Sequence, residues 1–398
     1  MEVKYFDNSA TTRVKDEVFK EMIPYLSIEY GNPSSLYSIG RSAKRAISEA
    51  RRRVASLINC SPEEIYFTSC GSESDNTALK GIAYANKEKG NHIITSKIEH
   101  PAILNSCKSL ENKGFKISYI DVDKDGMLNL EKLESEITDQ TTLISIMYAN
   151  NETGVIYPIQ KISEMIKRKN PHTKFFVDAV QVAGKIPIDV QELGVDLLGI
   201  SGHKFHAPKG VGALYCNSKT IITPLIIGGH QERGKRAGTE NVPYIVGLGK
   251  AAEVATDFLK YEATEVKRLR DKLEAGILKN VYNARLNTGA ALRVPNTTNI
   301  GFEYIEGELI LLHLSDLGIC ASSGSACTSG SLEPSHVLRA MNVPFTAIHG
   351  SIRLSLSKYT TEQEIDYVNE VLPGIIEKIR NISPYQDELA ELKKLKTH

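Results

Sequence analysis

Cys327 is the residue of this chain best suited to thiol chemistry. It lies in the run Ala-Ser-Ser-Gly-Ser-Ala-Cys-Thr-Ser-Gly-Ser at positions 321–331, where every neighbour is small and most are polar. A free cysteine usually behaves as a small buried hydrophobe, but here no large side chain adjoins it and the backbone is free to move. The pattern therefore predicts a reactive thiol on a mobile loop of about residues 321–333.

Lys204 is the second candidate, because it follows an apolar strand predicted over 195–200. Ligands gather at the carboxyl ends of parallel strands. Partial burial and nearby cations lower the pKa of a lysine and make it nucleophilic toward a carbonyl carbon, and His203 and His206 flank it. The alternative is an exposed loop lysine, the usual state of any single lysine. Only the companions of Lys204 favour a catalytic role.

Asp178 ends the apolar run Lys-Phe-Phe-Val-Asp, so a sheet would deliver this carboxylate to the same edge as Lys204. A buried acid needs a partner, and a pyridinium nitrogen is one, since an ionised carboxylate keeps such a ring protonated and able to accept electrons. Gln181 is placed to hydrogen-bond a phenolic oxygen on that ring. The alternative for Asp178, equally supported by these residues alone, is a cap of the next helix.

An anion site is predicted where Ser69–Glu73 follow one strand and precede a helical segment. Serine and glycine there leave free backbone N–H groups that suit a phosphate, although the same residues are ordinary helix-capping chemistry. His100 follows another strand at the same sheet edge. It could stack on a flat ring or shuttle a proton; the alternative is a helix-terminal histidine without a role.

The order of the predicted elements indicates an α/β fold. Apolar residues between positions 41 and 59 follow helical spacing, and short β-rich runs then alternate with segments that can hold helices. Those runs lie at 65–68, 92–95, 117–120, 143–147 and 175–177. Such alternation is typical of a mostly parallel sheet covered on both faces.

The pattern of residue types changes beyond about residue 240. A long charged helix is predicted over 242–280, and it leaves the large domain. From residue 286 onward we expect a smaller α+β domain with few strands, two further helices and the thiol loop. The polar, lysine-rich stretch 386–398 is expected to be a surface helix or a frayed end.

Length and charge limit the classes of function. With 398 residues the chain can form one large and one smaller domain around an ample core. Lys plus Arg and Asp plus Glu both number 48, so no net charge favours nucleic acid or an anionic membrane. No apolar stretch approaches the roughly 20 residues of a membrane span, and the N-terminus does not resemble a signal sequence.

The cysteines and acidic clusters add two expectations. The six cysteines include no Cys-x-x-Cys pair, which favours free thiols in a reducing compartment, the cytoplasm. The run Asp121–Gly126 begins like a calcium loop, but Lys132 stands at position twelve, where a glutamate is required. We therefore expect a turn there and no metal site.

Taken together, these residues resemble the cysteine desulfurases, the NifS/IscS-like branch of the class V aminotransferase family, which are pyridoxal 5′-phosphate enzymes of fold type I. The resemblance runs along nearly the whole chain. Its further motifs are Tyr5-Phe-Asp-Asn-Ser-Ala-Thr-Thr12, Tyr30-Gly-Asn-Pro-Ser-Ser35, Asn150-Asn-Glu-Thr-Gly154, Arg233-Gly-Lys-Arg-Ala-Gly-Thr239, Ser331-Leu-Glu-Pro334 and Ser351-Ile-Arg-Leu-Ser355. It implies a large domain over 14–258 with a mostly parallel seven-stranded sheet, and a small α+β domain formed by 1–13 and 259–398.

The resemblance also implies a role for each candidate residue. Lys204 would bind the cofactor covalently, and Cys327 would accept sulfur. The other implied cofactor contacts are Asp178 at the ring nitrogen, Gln181 at the phenolic oxygen, His100 stacked on the ring, and Gly71, Ser72, Ser201, His203 and, from a second subunit, Thr239 at the phosphate. Asn151 and Arg353 would hold the substrate carboxylate, for which a guanidinium is suited.

The implied activity is removal of sulfur from L-cysteine, which gives L-alanine and a persulfide on Cys327, with His100 as proton shuttle. The persulfide sulfur would pass to an acceptor protein such as an iron–sulfur scaffold. The sequence leaves open whether the acceptor serves general iron–sulfur assembly, tRNA thiolation, cofactor biosynthesis or nitrogenase maturation. A homodimer is implied, because Thr239 would complete the partner's site.

Two residues of the phosphate cup depart from the family, which usually has glycine at Cys70 and threonine at Ser72. Serine keeps the hydroxyl, whereas Cys70 adds a thiol that is either inert or slows the enzyme. Two other functions stay open. A selenocysteine lyase or an aminotransferase would keep Lys204 and Asp178 without needing the thiol loop. A catalytically silent scaffold for iron–sulfur proteins would need converging cysteines, and these six are scattered.

Overall fold

The computed structural model of the chain describes residues 2–323, 334–385 and 388. Twelve strands, numbered β1–β12 in chain order, occur in these residues. They are Lys4–Tyr5, Ile65–Thr68, His92–Ser96, Lys116–Ile120, Thr141–Met147, Lys174–Asp178, Leu197–Ser201, Gly212–Cys216, Ala284–Leu286, Thr297–Phe302, Ile319–Cys320 and Ser351–Ser355.

Fourteen α-helices, numbered α1–α14, occur in the same residues. They are Asp16–Met22, Pro24–Ser27, Ser38–Ile58, Gly71–Ala85, Pro101–Glu111, Leu130–Glu136, Ile159–Lys169, Val190–Leu193, Val242–Tyr261, Lys267–Asn280, Gly307–Asp316, His336–Ala340, Phe345–Ile348 and Glu362–Asn381. None of these helices combines the length and the apolar character that crossing a membrane requires.

The central sheet has seven strands in the order β2-β8-β7-β6-β5-β3-β4. Each pairing from β7 through β6, β5 and β3 to β4 is parallel, and β8 is antiparallel to both of its neighbours. The prediction of an α/β fold with a mostly parallel seven-stranded sheet is confirmed. Strand β8 was not predicted, because its short run Gly-Ala-Leu-Tyr-Cys carries no alternation of apolar and polar residues.

Helices cover both faces of the sheet, which explains the unbroken apolar runs of its strands. Every residue of β3, β5 and β7 is buried. Adjacent residues such as Ile93 and Ile94 point to opposite faces: Ile94 packs in a core with helices α3 and α9, and Ile93 packs in a core with α4 and α5. A parallel sheet buried on both sides has no polar face to expose.

A separate hydrophobic core lies in the C-terminal part of the chain. It combines apolar residues of α10, α11 and α14 with those of the three-stranded sheet β12-β10-β9, and it includes Phe6 from the N-terminus. Four helices, rather than the two predicted, follow residue 286 in the described part; α12 and α13 are single turns too short to show periodicity. The domain boundaries remain a prediction, and 386–398 lie outside the described residues except for Glu388.

The predicted helix over 242–280 is present as α9 and α10, joined without a break by a π-helical turn over Glu262–Val266. One extra residue in that turn shifts the helical phase, and such π-turns are frequent at functional sites. The turn buries the side chain of Glu262.

The N-terminal segment runs from the C-terminal core to the edge of the central sheet. Strand β1 pairs with β11, Asp7 bridges to Ser355, and the Thr12 N–H donates to the His203 carbonyl at 2.9 Å. Residues 4–12 therefore join the two cores and pass directly beside Lys204, the residue that follows His203.

Two glycine substitutions should have opposite effects on stability. A Cβ at Gly249 in α9 would lie 2.5 Å from the Ala50 Cα in α3, so Gly249→Ala should lower the free energy of unfolding by about 1–3 kcal/mol through overpacking. A Cβ at the exposed Gly374 in α14 would meet nothing within 4 Å, so Gly374→Ala should raise it by up to about 1 kcal/mol. Thermal unfolding of both variants checks the pair, and equal melting temperatures would contradict the close contact of α3 with α9.

Candidate active site

A cavity of about 370 Å³ opens at the carboxyl edge of the central sheet, next to the ends of β3, β5, β6 and β7. This edge is where open α/β sheets bind ligands. Ten of the predicted site residues line the cavity: Gly71, Ser72, His100, Asn151, Asp178, Gln181, Ser201, His203, Lys204 and Arg353. The fold thus gathers most of the candidates around one space.

Asp178 is the last residue of β6 and is 7% exposed. Its Oδ1 accepts a hydrogen bond from the Val180 N–H at 2.9 Å, so the carboxylate fixes the turn after the strand rather than capping a helix. Burial raises the pKa of Asp178 to about 6, while that hydrogen bond and the nearby Lys204 ammonium oppose the rise. A cationic ring nitrogen beside Asp178 would favour the ionised carboxylate.

Lys204 ends a single 3-10 turn, Gly202–Lys204, which follows β7. Its Nζ donates to the backbone carbonyl of Ser9 at 2.7 Å and to that of Ala10 at 2.8 Å. Both carbonyl groups belong to the N-terminal segment that crosses this edge of the sheet. The amine is therefore held at the cavity instead of extending into solvent.

His203 and His206 do not act as cations toward Lys204. Burial lowers the pKa of each ring to about 4, and the Lys204 ammonium adds to the lowering at His203. Both rings are neutral near pH 7, so the expectation that they serve as nearby cations is wrong. A different cation, the buried Lys185, interacts electrostatically with Lys204.

The predicted anion site lies at the start of α4, whose first residue is Gly71. A side chain is excluded there, because a Cβ at Gly71 would lie 2.8 Å from Cγ2 of Val180. The hydroxyl of Ser201 is buried and has no hydrogen-bond partner among the described residues. A buried, unpaired hydroxyl beside a helix N-terminus is suited to a phosphate oxygen.

Two further residues of the predicted phosphate site differ in their placement. Thr239 is exposed and does not line the cavity, so its role toward a second subunit remains a prediction. Cys70 does line the cavity, and its Sγ accepts a hydrogen bond from the Ser69 hydroxyl at 3.7 Å. The additional thiol seen in the sequence therefore lies in the cavity, next to the predicted phosphate site.

His100 combines the two roles considered from the sequence. It is the N-cap of α5, where its Nδ1 accepts a hydrogen bond from the Ala102 N–H at 3.1 Å, and it also lines the cavity. Because Nδ1 is an acceptor, the proton of the neutral ring is on Nε2. Burial lowers the pKa of His100 to about 4, so the ring is neutral near pH 7.

Arg353 brings a guanidinium group from β12 to the cavity. Its Nη2 pairs with Oδ1 of Asp7 at 2.7 Å, and its Nη1 donates to the Asn151 carbonyl at 2.8 Å. The side chain is only 3% exposed, and its Nε has no partner among the described residues. These contacts fix the orientation of a group that is suited to binding a carboxylate.

The residues on either side of the gap at 324–333 are anchored. Ser322 and Arg353 exchange two backbone hydrogen bonds, of 3.2 and 2.6 Å. Beyond the gap, the Ser335 hydroxyl donates to Oε2 of Glu152 at 2.5 Å. Cys327 itself lies outside the described residues. Its segment thus begins beside an arginine that lines the cavity.

Six cavity residues were not predicted from the sequence: Ser9, Ala10, Asp75, Met147, Ala149 and Val180. Ser9 and Ala10 contribute backbone carbonyl groups, for which no side-chain type gives a signal. Asp75 is buried one helical turn after Gly71, and burial together with the negative charge of Asp178 raises its pKa well above the usual range. The sequence does carry a signal for Asp75, because it follows Gly71 by four residues and therefore lies on the same face of the helix as the predicted anion site.

Substitutions at His100 should separate helix capping from chemistry. His100→Asn keeps a good N-cap and should have a melting temperature close to that of the wild type. His100→Ala loses the cap, which should lower the free energy of unfolding by about 1 kcal/mol. If the ring acts in catalysis, both variants lose turnover to a similar extent. Turnover and melting temperature are measured together. Wild-type turnover in His100→Asn would show that the histidine only caps α5.

His206 should make folding sensitive to acid. Its pKa is about 4 in the folded protein and near 6.5 when unfolded, so the unfolded state binds more protons between these values and stability falls as pH falls. Asn tolerates the left-handed backbone of His206, whose φ is +72°, and does not titrate. Between pH 7 and pH 5, the free energy of unfolding of His206→Asn should therefore fall by about 1–2 kcal/mol less than that of the wild type. Parallel pH profiles of thermal unfolding would contradict the lowered pKa.

Comparison with known proteins matches residues 4–368 to the aminotransferase class-V family. The cysteine desulfurase of Trichormus azollae is 53% identical over 390 residues, which cover 98% of this chain and 97% of the relative. Cysteine desulfurase NifS of Azotobacter vinelandii is 51% identical over 382 residues, which cover 96% and 94%. The predicted resemblance is confirmed along the length of the chain.

Solved structures give the same result. A NifS-like protein superposes with a TM-score of 0.89 at 43% identity, covering 94% of this chain and 100% of that one. SspA in complex with cysteine superposes with a TM-score of 0.79 at 36% identity, covering 90% and 100%. With the same fold, and with relatives more than half identical to it from end to end, this chain belongs to the aminotransferase class-V family.

Proposed function

We propose that this chain is a pyridoxal 5′-phosphate-dependent cysteine desulfurase, which takes sulfur from L-cysteine and leaves L-alanine. The observation that carries the proposal is a cavity whose lining combines Lys204 and Asp178 with Arg353. The relatives named cysteine desulfurase support the same activity. Each residue's role below is part of the proposal.

The residues present fit the cofactor. When bound, pyridoxal phosphate withdraws electrons from the α-carbon of an amino acid and so labilises the bonds around it. Lys204 would hold its aldehyde carbon, Asp178 its ring nitrogen, Gln181 its phenolic oxygen and His100 one face of its ring. The phosphate contacts would come from Gly71, Ser72, Ser201 and His203, with Thr239 supplied by a second subunit. The unpaired hydroxyl of Ser201 and the excluded side chain at Gly71 support this orientation.

Arg353 and Asn151 would bind the substrate carboxylate. Asp7 and the Asn151 carbonyl hold the guanidinium in place without solvent between them, so the arginine does not need to reorganise when substrate enters. The low exposure of Arg353 strengthens its attraction for a carboxylate. This end of the cavity would therefore select an α-amino acid.

Two groups would move protons. The Lys204 amine would remove the α-proton at Nζ, and the carbonyl groups of Ser9 and Ala10 can stabilise the resulting ammonium. His100, the predicted proton shuttle, carries its proton on Nε2, so its neutral ring would donate a hydrogen bond from there and would pass a proton on only while taking up another. Its pKa of about 4 keeps it neutral across the physiological range.

Cys327 would be the sulfur acceptor. Its thiolate would attack the sulfur of the substrate; an S–S bond forms and the C–S bond breaks, with its electron pair remaining on the substrate β-carbon. Protonation of that carbon completes L-alanine, and the enzyme keeps a persulfide. Ser323 precedes Cys327 by four residues, a length that spans at most about 14 Å. Ser322 is paired with Arg353, which lines the cavity, so the cavity would be within reach of Cys327.

The persulfide sulfur would then pass to an acceptor protein. Iron–sulfur assembly, tRNA thiolation and nitrogenase maturation all begin from such a sulfur, and the residues described give no preference among them. We further infer a homodimer, a cytoplasmic location, and a large domain over 14–258 with a small domain formed by 1–13 and 259–398. The hydrophobic core made by Phe6 with residues of the C-terminal part supports that division.

The other functions considered have less support. An aminotransferase or a selenocysteine lyase does not require the thiol at position 327. A scaffold that holds an iron–sulfur cluster requires converging ligands, and no group of three or more potential metal ligands occurs within 2–323 and 334–385. The lysine and aspartate of the cavity would also have no role in a scaffold.

Removing the thiol should separate cofactor chemistry from sulfur transfer. Cys327→Ser, loaded with pyridoxal phosphate, should still change its visible spectrum when L-cysteine is added, but sulfide release under reductant should fall by orders of magnitude. Cys60→Ser, which removes a thiol that does not line the cavity, is the matched control and should keep wild-type turnover. Full sulfide release by Cys327→Ser would refute the assigned role, and a colourless wild-type protein that cannot be reconstituted would refute the cofactor.

A further inference from the structure

A buried lysine holds the side-chain amide of Gln181. The Lys185 Nζ donates to Oε1 of Gln181 at 3.2 Å and to the Gln181 backbone carbonyl at 3.0 Å. At the other end of the same amide, Nε2 donates to the Ser9 carbonyl at 3.1 Å. Ser9 also accepts from Lys204, so four residues form one continuous network beside the cavity.

Only one of the two amide orientations satisfies both contacts of Gln181. As an ammonium group Lys185 supplies only donors, and the Ser9 carbonyl is only an acceptor. Rotation of the amide by half a turn would place its NH₂ group against the Lys185 amine and its oxygen against the Ser9 oxygen, which replaces two hydrogen bonds by two repulsive contacts. The amide orientation is therefore set by Lys185 and Ser9 together.

The backbone conformation at residue 184 directs the Lys185 side chain toward the Gln181 amide. Gly184 has a left-handed conformation with φ +74°, and a Cβ there would lie 2.9 Å from the Phe205 Cβ. This tight turn directs the Lys185 side chain back toward Gln181, and Lys185 is only 5% exposed. Solvent cannot easily replace it as the donor.

We propose that Lys185 is a positioning residue that fixes the Gln181 amide with its N–H, rather than its oxygen, toward the phenolic oxygen of the cofactor. The inference rests on the proposed function, because it concerns that same site. Nε2 carries two N–H groups and Ser9 accepts one of them. Gln181 lines the cavity, so the second N–H is the group that would donate a hydrogen bond to the ligand.

The charges around Lys185 do not remove its donors. Lys204, Arg353 and Glu262 interact with it electrostatically, and Lys358 lines the same small cavity behind it. Burial and the neighbouring cations lower its pKa to about 7. A neutral amine still has two N–H groups, enough for both contacts with Gln181, and the Ser9 carbonyl accepts from Nε2 in either charge state. The observed orientation of the amide is thus compatible with both charge states of Lys185.

The visible spectrum of the cofactor-loaded protein provides the test. A hydrogen bond donated to the phenolic oxygen stabilises its negative charge, whereas an amide oxygen turned toward it has the opposite effect. Lys185→Met should therefore raise the pH of the visible absorbance transition by about one unit, a tenfold change in proton affinity. Lys185→Arg, which keeps donors, should titrate close to the wild type.

A double-mutant cycle separates orientation from the charge of the lysine. In the Gln181→Met background no amide remains, so adding Lys185→Met should cause no further shift. An equal shift in both backgrounds would overturn the proposal, because it would mean that Lys185 acts through its own charge. Gln181→Glu serves if Lys185→Met does not fold: with Lys185 retained, its second carboxylate oxygen faces the cavity and should also raise the transition pH. No shift in Gln181→Glu would equally overturn the inference.

The failure of this inference differs from a failure of the proposed function. A wild-type protein that binds pyridoxal phosphate and shows the absorbance transition supports the proposed function whatever the variants do. If the transition then has the same pH in Lys185→Met as in the wild type, only the positioning role is wrong. If the wild type shows no cofactor band at all, the proposed function and this inference both fail.

Discussion

A partly buried amine held by backbone carbonyl groups is the interaction on which the site depends. Lys204 ends the 3-10 turn that follows a buried strand, and its amine is only partly exposed. The carbonyls of Ser9 and Ala10 accept from it, and they reach this position because the N-terminal segment pairs first with β11 and then crosses to the sheet edge. Removing that segment would remove both carbonyl partners of the amine, so Ser9 and Ala10 help to position Lys204 at the cavity.

The same segment connects the two hydrophobic cores. Asp7 orients Arg353, which belongs to the small C-terminal sheet, and Ser9 receives hydrogen bonds from Lys204 and Gln181, which belong to the central sheet. The cavity is thus lined by groups from both cores. Arg353 and Lys204 are positioned there by contacts that span most of the chain, so neither core contains all of the residues that line the cavity.

Electrostatically, the cavity is lined by two buried acids of raised pKa, Asp75 and Asp178, and by the cationic side chains of Lys204 and Arg353. His100 and His203 are neutral near pH 7, and burial also raises the pKa of Glu99, which precedes His100 but does not line the cavity, to about 8. Such an arrangement is costly without a ligand and is relieved by a cationic ring nitrogen beside Asp178. Perturbed acids of this kind are typical of functional sites. The site therefore has the electrostatics expected of a binding site for a cationic heterocycle.

The sequence by itself determined six of the seven strands of the central sheet, the order of those elements and the side chains that follow these strands, because apolar periodicity and strand-end chemistry are local. It also identified the family through motifs such as Ser351–Ser355. Only the tertiary structure decided which groups hold those side chains: Lys204 is held by carbonyls some 195 residues away and Arg353 by an acid 346 residues away. It also showed that the neighbouring histidines are neutral. Burial and long-range contact are collective properties of the packed chain, and no local pattern of residues encodes them.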